Sequence, residues 1–149
     1  MYFEEFNVGD LYRHHRGKTL TGMDQVLITN LVMNTAAAHF DEEIMRDHMF
    51  GQRVAFGGVT ISMIIGMTAQ DTAEHALAEL SMDGIRLTNP VFHGDTLYAF
   101  SEVLDKQDSD REDGGVVEFR HWGINQDEKI VFEGRRRVLV KRRSHWQDA

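Results

Sequence analysis

The stretch Gly57-Gly58-Val59-Thr60-Ile61-Ser62-Met63-Ile64-Ile65-Gly66-Met67 decides the fold. Its apolar character continues to about Ala76, which is longer than a usual β-strand. Apolar residues fall on nearly all sides of the helix that this stretch predicts, and such a helix is usually buried. We therefore predict a long central helix that begins at the two glycines and is wrapped by a β-sheet.

The second half of the chain has the pattern of β-strands. Polar turns such as 108–115 and 125–129 separate the later strands, and short connections favour an antiparallel meander. The predicted class is α+β, with a curved antiparallel sheet around one long helix. The four strands are predicted at 80–88, 96–106, 116–124 and 130–142.

The residues before the central helix predict a strand at 11–20, two helices and a loop at 34–40. Thr21 followed three residues later by Asp24 is typical of a helix N-terminus. Asp41 is expected to cap a short second helix that runs to about His48. The apolar face of the first helix is predicted to contain Val26, Leu27, Leu31 and Val32.

Composition limits the functions that the chain can have. Its 149 residues fit one domain, 1–149, and a net charge of −8 argues against a generic nucleic-acid binder. The absence of cysteine excludes disulfides, thiolate metal sites and cysteine nucleophiles. No apolar run is long enough for a membrane helix, and the acidic N-terminus does not resemble a signal peptide. We expect a cytoplasmic protein.

Positive charge is concentrated near the C-terminus, where six of the 16 basic residues occur with no acidic residue among them. A compact basic patch on an acidic body suggests binding of a small anionic group. The alternative is a solvated strand end. The six residues are Arg135, Arg136, Arg137, Lys141, Arg142 and Arg143.

His39 is the best candidate for a general acid or base, because small residues precede it and imidazole transfers protons near neutral pH. The alternative role is a hydrogen bond within the loop. Gly57 and Gly58 allow a ligand to approach the free N–H groups of a helix start, which favour a negative oxygen. They also fit a tight turn into a buried helix.

The other histidines give weaker signals. Gly94-Asp95 after His93 is typical of a turn, and His14 and His15 are expected on the surface of a strand. The remaining histidines form no cluster with metal-ligand spacing, and no nucleotide-binding motif occurs. We therefore expect no metal and no cofactor.

Several motifs in a fixed order resemble those of one family. They are Tyr2-Phe3-Glu4-Glu5-Phe6-x-Val8-Gly9-Asp10, Gly17-Lys-Thr-Leu-Thr21, Asn34-Thr-Ala-Ala-Ala-His39-Phe-Asp41, Phe50-Gly51, Val54-x-x-Gly57 and Val91-Phe-His-Gly-Asp-Thr-Leu-Tyr98. In this order the chain resembles the MaoC-like dehydratases, which are hot-dog-fold hydratases of acyl-CoA thioesters. It is most similar to the mesaconyl-CoA hydratase, or β-methylmalyl-CoA dehydratase, branch.

The resemblance implies a hot-dog fold, a homodimer or higher oligomer, and a site near the subunit interface. It places the family's catalytic histidine at His39, its aspartate at Asn34 and its oxyanion amide at Gly57 or Gly58. A carboxamide orients water but does not take a proton from it. Ala36 replaces an asparagine that is common in the family. The basic residues 135–143 are expected to contact CoA phosphates, since guanidinium matches phosphate well.

Three activities fit this resemblance. The first is reversible hydration of an enoyl-CoA, such as the branched dicarboxylic mesaconyl-CoA. The second is thioester hydrolysis, although Asn34 removes the obvious carboxylate. The third is a non-catalytic role as an acyl-CoA-binding protein or as the partner subunit of a heteromeric dehydratase. CoA belongs to the substrate in each case.

Overall fold

The computed structural model describes residues 1–146, so residues 147–149 of the predicted domain lie outside the described part. No helix in the described part is long and apolar enough to cross a membrane. Short 3-10 turns occur at Phe3–Glu5 and Ala37–His39. In chain order the elements are β1 Leu11–Arg13, β2 Lys18–Thr19, α1 Gly22–Leu31, α2 Glu42–Met45, α3 Gly57–Thr72, β3 Ala76–Arg86, β4 Thr96–Asp108, β5 Gly114–Ile124, β6 Ile130–Lys141 and α4 Arg143–Trp146.

The predicted central helix is α3, which lies against the antiparallel sheet and buries Val59, Met63 and Ile64. The helix approaches β5 closely because Gly123 has no side chain. A Cβ atom at that position would lie 2.2 Å from Cδ1 of Ile64. The α+β prediction is confirmed, although α3 ends at Thr72 rather than near Ala76, where β3 already begins.

The strands form one antiparallel sheet in the order β1-β4-β5-β6-β3, and β2 also pairs with β4. The meander is therefore confirmed for β4 to β6, but the expectation that it includes β3 was wrong. β1 and β2 occupy the edge of β4 that β3 would need, so β3 pairs with β6 instead. The predicted strand 11–20 is divided into β1 and β2.

Helix α1 has the predicted start, because the Thr21 hydroxyl accepts from the Asp24 N–H at 3.1 Å and the Asp24 carboxylate accepts from the Thr21 N–H at 3.0 Å. Its predicted apolar face was wrong. Gln25 and Thr29 point inward, whereas Leu31 is 74% exposed. The polar side chains are buried because they bond backbone oxygens. Leu27 and Val32 are also exposed, and Val26 is half-buried.

Candidate active site

The loop 34–41 connects α1 to α2 and carries the predicted catalytic residues. Its start is fixed to α1 by a hydrogen bond from the Asn34 N–H to the Thr29 carbonyl at 3.1 Å. Gln25, which is fully buried, donates through Nε2 to the carbonyl of His39 at 3.1 Å and to that of Val54 at 3.2 Å. The helix therefore holds the loop against the chain segment that leads into α3.

The His39 ring has a defined orientation. Nδ1 lies 2.8 Å from the carbonyl oxygen of Val54. A carbonyl oxygen only accepts, so Nδ1 carries the proton and Nε2 of the neutral ring keeps a free lone pair. The Phe56 ring lies 5.8 Å away, centroid to centroid. The loop hydrogen bond and the acid–base role are thus compatible, because each uses a different ring nitrogen.

Asn34 and the acidic residues after His39 have local partners. Oδ1 of Asn34 accepts from the Ala36 N–H at 3.0 Å, so its amide nitrogen remains to orient a ligand. Asp41 caps α2 by accepting from the Ile44 N–H at 2.9 Å, as predicted. The Arg53 guanidinium contacts Glu42 at 2.6 Å and lowers the pKa of that carboxyl.

Gly57 and Gly58 are the first two residues of α3, after Phe56 at the N-cap. Their N–H groups make no backbone hydrogen bond within residues 1–146, as expected for the first turn of a helix. A Cβ on Gly57 would lie 2.4 Å from Cδ1 of Leu87, and one on Gly58 would lie 2.3 Å from Cε1 of Phe56. A side chain at either position would therefore require Leu87 or Phe56 to move.

A cavity of about 310 Å³ opens beside Gly57. The segment 54–56 joins this cavity to His39, since Val54 bonds the histidine and Phe56 caps α3. Backbone bonds hold the segment on both sides, from Val54 N–H to Ala38 O at 3.2 Å and from Ala55 N–H to Val91 O at 2.8 Å. The lining residues are Phe50, Ala55, Gly57, Thr60, Leu87, Thr88, Asn89, Pro90 and Val91.

The six basic residues of 135–143 do not form one patch in the structure. They extend from the middle of β6 to α4, and most of them pair with acidic side chains. Arg135 contacts Asp83, Arg136 contacts Glu79 and Arg137 approaches Glu118. Arg142 pairs with Asp108 and Arg143 with Glu5, while Lys141 lies over the Trp146 ring. None of the six lines the cavity beside Gly57.

The sequence analysis did not predict a buried chain of hydrogen-bonded polar side chains. His14, expected on the surface, is only 4% exposed. Its Nδ1 lies 2.6 Å from Asp71, and its Nε2 lies 2.6 Å from Oγ of Ser101, which contacts Nδ1 of His121 at 2.7 Å. The sequence signal for the burial of His14 was the alternation of side chains between the two faces of a strand. His14 follows β1 and lies two residues after Tyr12, so both side chains share the inward face. Phe92 to Asp95 forms the predicted turn.

Comparison with known proteins identifies the family of the chain. The family model described as mesaconyl-CoA hydratase matches residues 3–142. The mesaconyl-CoA hydratase of Haloarcula marismortui is 35% identical over 160 residues, which cover 95% of this chain and 42% of that protein. This chain therefore spans less than half the length of that relative.

Two solved structures have closely similar folds. A putative MaoC domain protein dehydratase from Chloroflexus aurantiacus superposes with a TM-score of 0.89 at 30% identity, covering 96% of this chain and 45% of the other. The protein RV0216 from Mycobacterium tuberculosis, described as a double hot-dog fold, also gives 0.89, at 22% identity and with 98% and 46% covered. The fold is the hot-dog fold, and the chain belongs to the mesaconyl-CoA hydratase family.

Proposed function

We propose that the protein is an acyl-CoA hydratase/dehydratase, a hydro-lyase that adds water to, or removes it from, an enoyl-CoA double bond. One observation carries the proposal. The Nδ1–Val54 hydrogen bond leaves Nε2 of His39 as a free base, held by the segment 54–56 that ends at the open amides of Gly57 and Gly58. The similarity to mesaconyl-CoA hydratases supports it.

In the hydration direction, Nε2 of His39 takes a proton from water while the water oxygen bonds to the β-carbon of the thioester. The double-bond electrons move to the carbonyl oxygen, which the Gly57 and Gly58 N–H groups stabilise as an enolate. The imidazolium then returns the proton to the α-carbon, and the carbonyl re-forms. A single base is sufficient for this sequence, so Asn34 need only orient the water or the substrate carboxylate. No metal or redox cofactor is required.

The substrate we propose is a branched dicarboxylic enoyl-CoA such as mesaconyl-CoA. The test compares mesaconyl-CoA with crotonyl-CoA by the loss of the enoyl thioester absorbance. We expect wild type to act faster on mesaconyl-CoA, His39→Ala to be inactive though folded, and the exposed His145→Ala to match wild type. Turnover by His39→Ala at the wild-type rate would refute the role of His39, and release of free thiol would indicate a thioesterase.

The second candidate is a non-catalytic acyl-CoA-binding or partner subunit. Asn34 favours it, because an amide stands where the resemblance to the MaoC-like dehydratases implies an aspartate, and its oxygen is already bonded to the Ala36 N–H. Binding of CoA esters by wild type without any change in absorbance would establish this role.

We further propose a homodimer or higher homo-oligomer, located in the cytoplasm, where CoA thioesters are formed and used. The edge strand β3 exposes apolar side chains, and an unpaired apolar edge favours association. The double hot-dog relative is about twice as long, so a second copy would take the place of its other half. The exposed apolar residues of β3 and the following loop are Leu80, Met82, Ile85 and Leu87.

A further inference from the structure

Two arginines near the N-terminus lack the acidic partners that the arginines of β6 have. The segment Arg13-His14-His15-Arg16-Gly17-Lys18, called here the 13–18 segment, contains three cations and no acidic residue. Within residues 1–146, Arg13 and Arg16 form no ion pair, and Lys18 contacts Asp24 at 3.2 Å. A molecule with a net charge of −8 needs such a segment to attract an anion.

A cavity of about 590 Å³ lies between this segment and the second half of α3. Its floor contains the apolar side chains of Met63 and Met67, and Gly66 leaves the centre open, since a Cβ there would contact nothing within 4 Å. Ser62 and Gln70 add hydrogen-bonding groups. The basic wall of the cavity consists of His15, Arg16 and Lys18, and the remaining member is Asp71.

The Asp71 carboxylate lines the cavity and also has a buried partner. One of its oxygens lies 2.6 Å from Nδ1 of the buried His14, which donates to it. Arg16 has no acidic partner within residues 1–146, whereas Asp71 keeps its negative charge when it accepts this hydrogen bond. The lining therefore contains the two cations Arg16 and Lys18 and the one carboxylate of Asp71.

Two connections link this cavity to the proposed active site. The first connection is α3 itself, in which Gly57 and Gly66 are separated by about 14 Å at the usual rise of a helix. The second connection runs through α1. Lys18 of the cavity wall contacts Asp24 of this helix. At the start of the same helix, a Cβ on Gly22 would lie 3.9 Å from the Arg53 guanidinium. Arg53 precedes Val54, the partner of His39. The extended pantetheine arm of CoA has a suitable length to join the two places.

We propose that this cavity binds the phosphate groups of the CoA thioester, with Arg16 as the main phosphate ligand and Lys18 and His15 in support. The inference rests on the proposed function, because it assigns a site to the CoA part of that substrate. Guanidinium binds phosphate oxygens in bidentate form, which an apolar floor strengthens by excluding water. The arginines of β6 are expected to hold the sheet together through their acidic partners instead.

The first test measures CoA binding by titration calorimetry, which does not require turnover. We expect Arg16→Gln to weaken CoA binding about tenfold, the loss typical of one charged hydrogen bond, and Arg16→Lys to weaken it less. Lys129→Gln removes the same charge from a distant turn and is expected to bind within about twofold of wild type. Circular dichroism checks that each variant is folded.

The second test compares an enoyl-CoA with its N-acetylcysteamine thioester, which has no phosphates. Arg16→Gln should raise KM about tenfold for the CoA ester only and leave kcat near wild type. Unchanged CoA affinity in Arg16→Gln, together with weaker binding in Arg137→Gln, would overturn the inference. If wild type hydrates neither ester but binds CoA through Arg16, the proposed hydratase activity is wrong and the phosphate site stands.

Discussion

The side chain of Gln25 donates to the backbone carbonyl of His39 across 3.1 Å, and the same amide nitrogen also bonds Val54. A polar residue on the inward face of α1 thus fixes both the loop that carries His39 and the carbonyl that orients its imidazole. Gln25 touches no proposed substrate position, so it is a positioning residue.

Gln25→Leu tests this arrangement. The variant leaves two backbone oxygens without their partner, and we expect the free energy of unfolding to fall by about 2 kcal/mol. We also expect kcat to fall more than KM changes, because the loop would hold His39 less firmly. Chemical denaturation and steady-state kinetics measure the two effects. Asn30→Ala, on the exposed face of the same helix, should change neither; a wild-type kcat in Gln25→Leu would contradict the positioning role.

The buried chain of His14, Ser101 and His121 predicts a dependence of stability on pH. Burial, with smaller contributions from the charges of Arg136 and His14, lowers the pKa of His121 to about 3. Below about pH 6.5 the unfolded state binds a proton that the folded state does not, so stability is full above this pH and falls as the pH decreases toward 3. The slope is about 1.4 kcal/mol per pH unit.

His121→Asn keeps a donor for Ser101 but does not titrate, so its unfolding free energy should depend less on pH between 4 and 6.5. Denaturant melts at several pH values measure the difference. His145→Asn, at an exposed position in α4, provides the matched control. Parallel curves for wild type and His121→Asn would show that His121 is not the responsible group.

The ion pair between Arg136 and Glu79 predicts a difference between a half-buried and an exposed pair. The Arg136 side chain is only 5% exposed, but that of Glu79 is 53% exposed, so solvent screens part of the charge that Glu79→Gln removes. We expect a loss of about 1.5 kcal/mol in unfolding free energy, below the value for a fully buried pair. Glu43→Gln breaks the exposed pair with Arg46 and should cost less than about 0.5 kcal/mol. Equal losses in the two variants would contradict this explanation.

The proposed dimer predicts that the two edges of the sheet respond differently to a charge. Ile85→Lys places an ammonium on β3, and we expect it to shift the molecular mass measured by light scattering toward the monomer. Leu11→Lys makes the same kind of change on β1, at the opposite edge, where the side chain is also exposed. This control should keep the wild-type mass. Association that survives Ile85→Lys but not Leu11→Lys would place the interface at β1.

Local patterns predicted much of the fold. The apolar run after Gly58 predicted α3, the Thr21–Asp24 spacing predicted the start of α1, and the polar turns at 108–115 and 125–129 predicted the divisions between the later strands. The pairing of β3 with β6 was not predictable in this way, because it depends on which strands occupy the other edge of β4. The prediction of the inward face of α1 was wrong for a related reason. Gln25 is buried because it bonds His39 and Val54, which are 14 and 29 residues away in the sequence, and no local pattern shows such partners.

The site was predicted in part. The positions of His39, Gly57 and Gly58 are consistent with the roles expected for them, although those roles stay predictions until they are measured. The sequence shows the positive charge of 135–143 but not its acidic partners, which come from β3, β4, β5 and the N-terminal residues. Only the folded sheet brings those acids to the arginines, whereas Arg13 and Arg16 have no ion pair within residues 1–146.

The missing side chain at Gly123 sets the depth at which α3 lies on the sheet, because Ile64 occupies that space. Ile64 lies seven residues after Gly57, about 10 Å along a stiff helix. A methyl group at Gly123 would overlap the Ile64 side chain, so either that side chain or the helix would have to shift. A shift of the helix would also move its first turn, where Gly57 and Gly58 lie. The small size of residue 123 therefore bears on the position of the two amides proposed to meet the thioester oxygen.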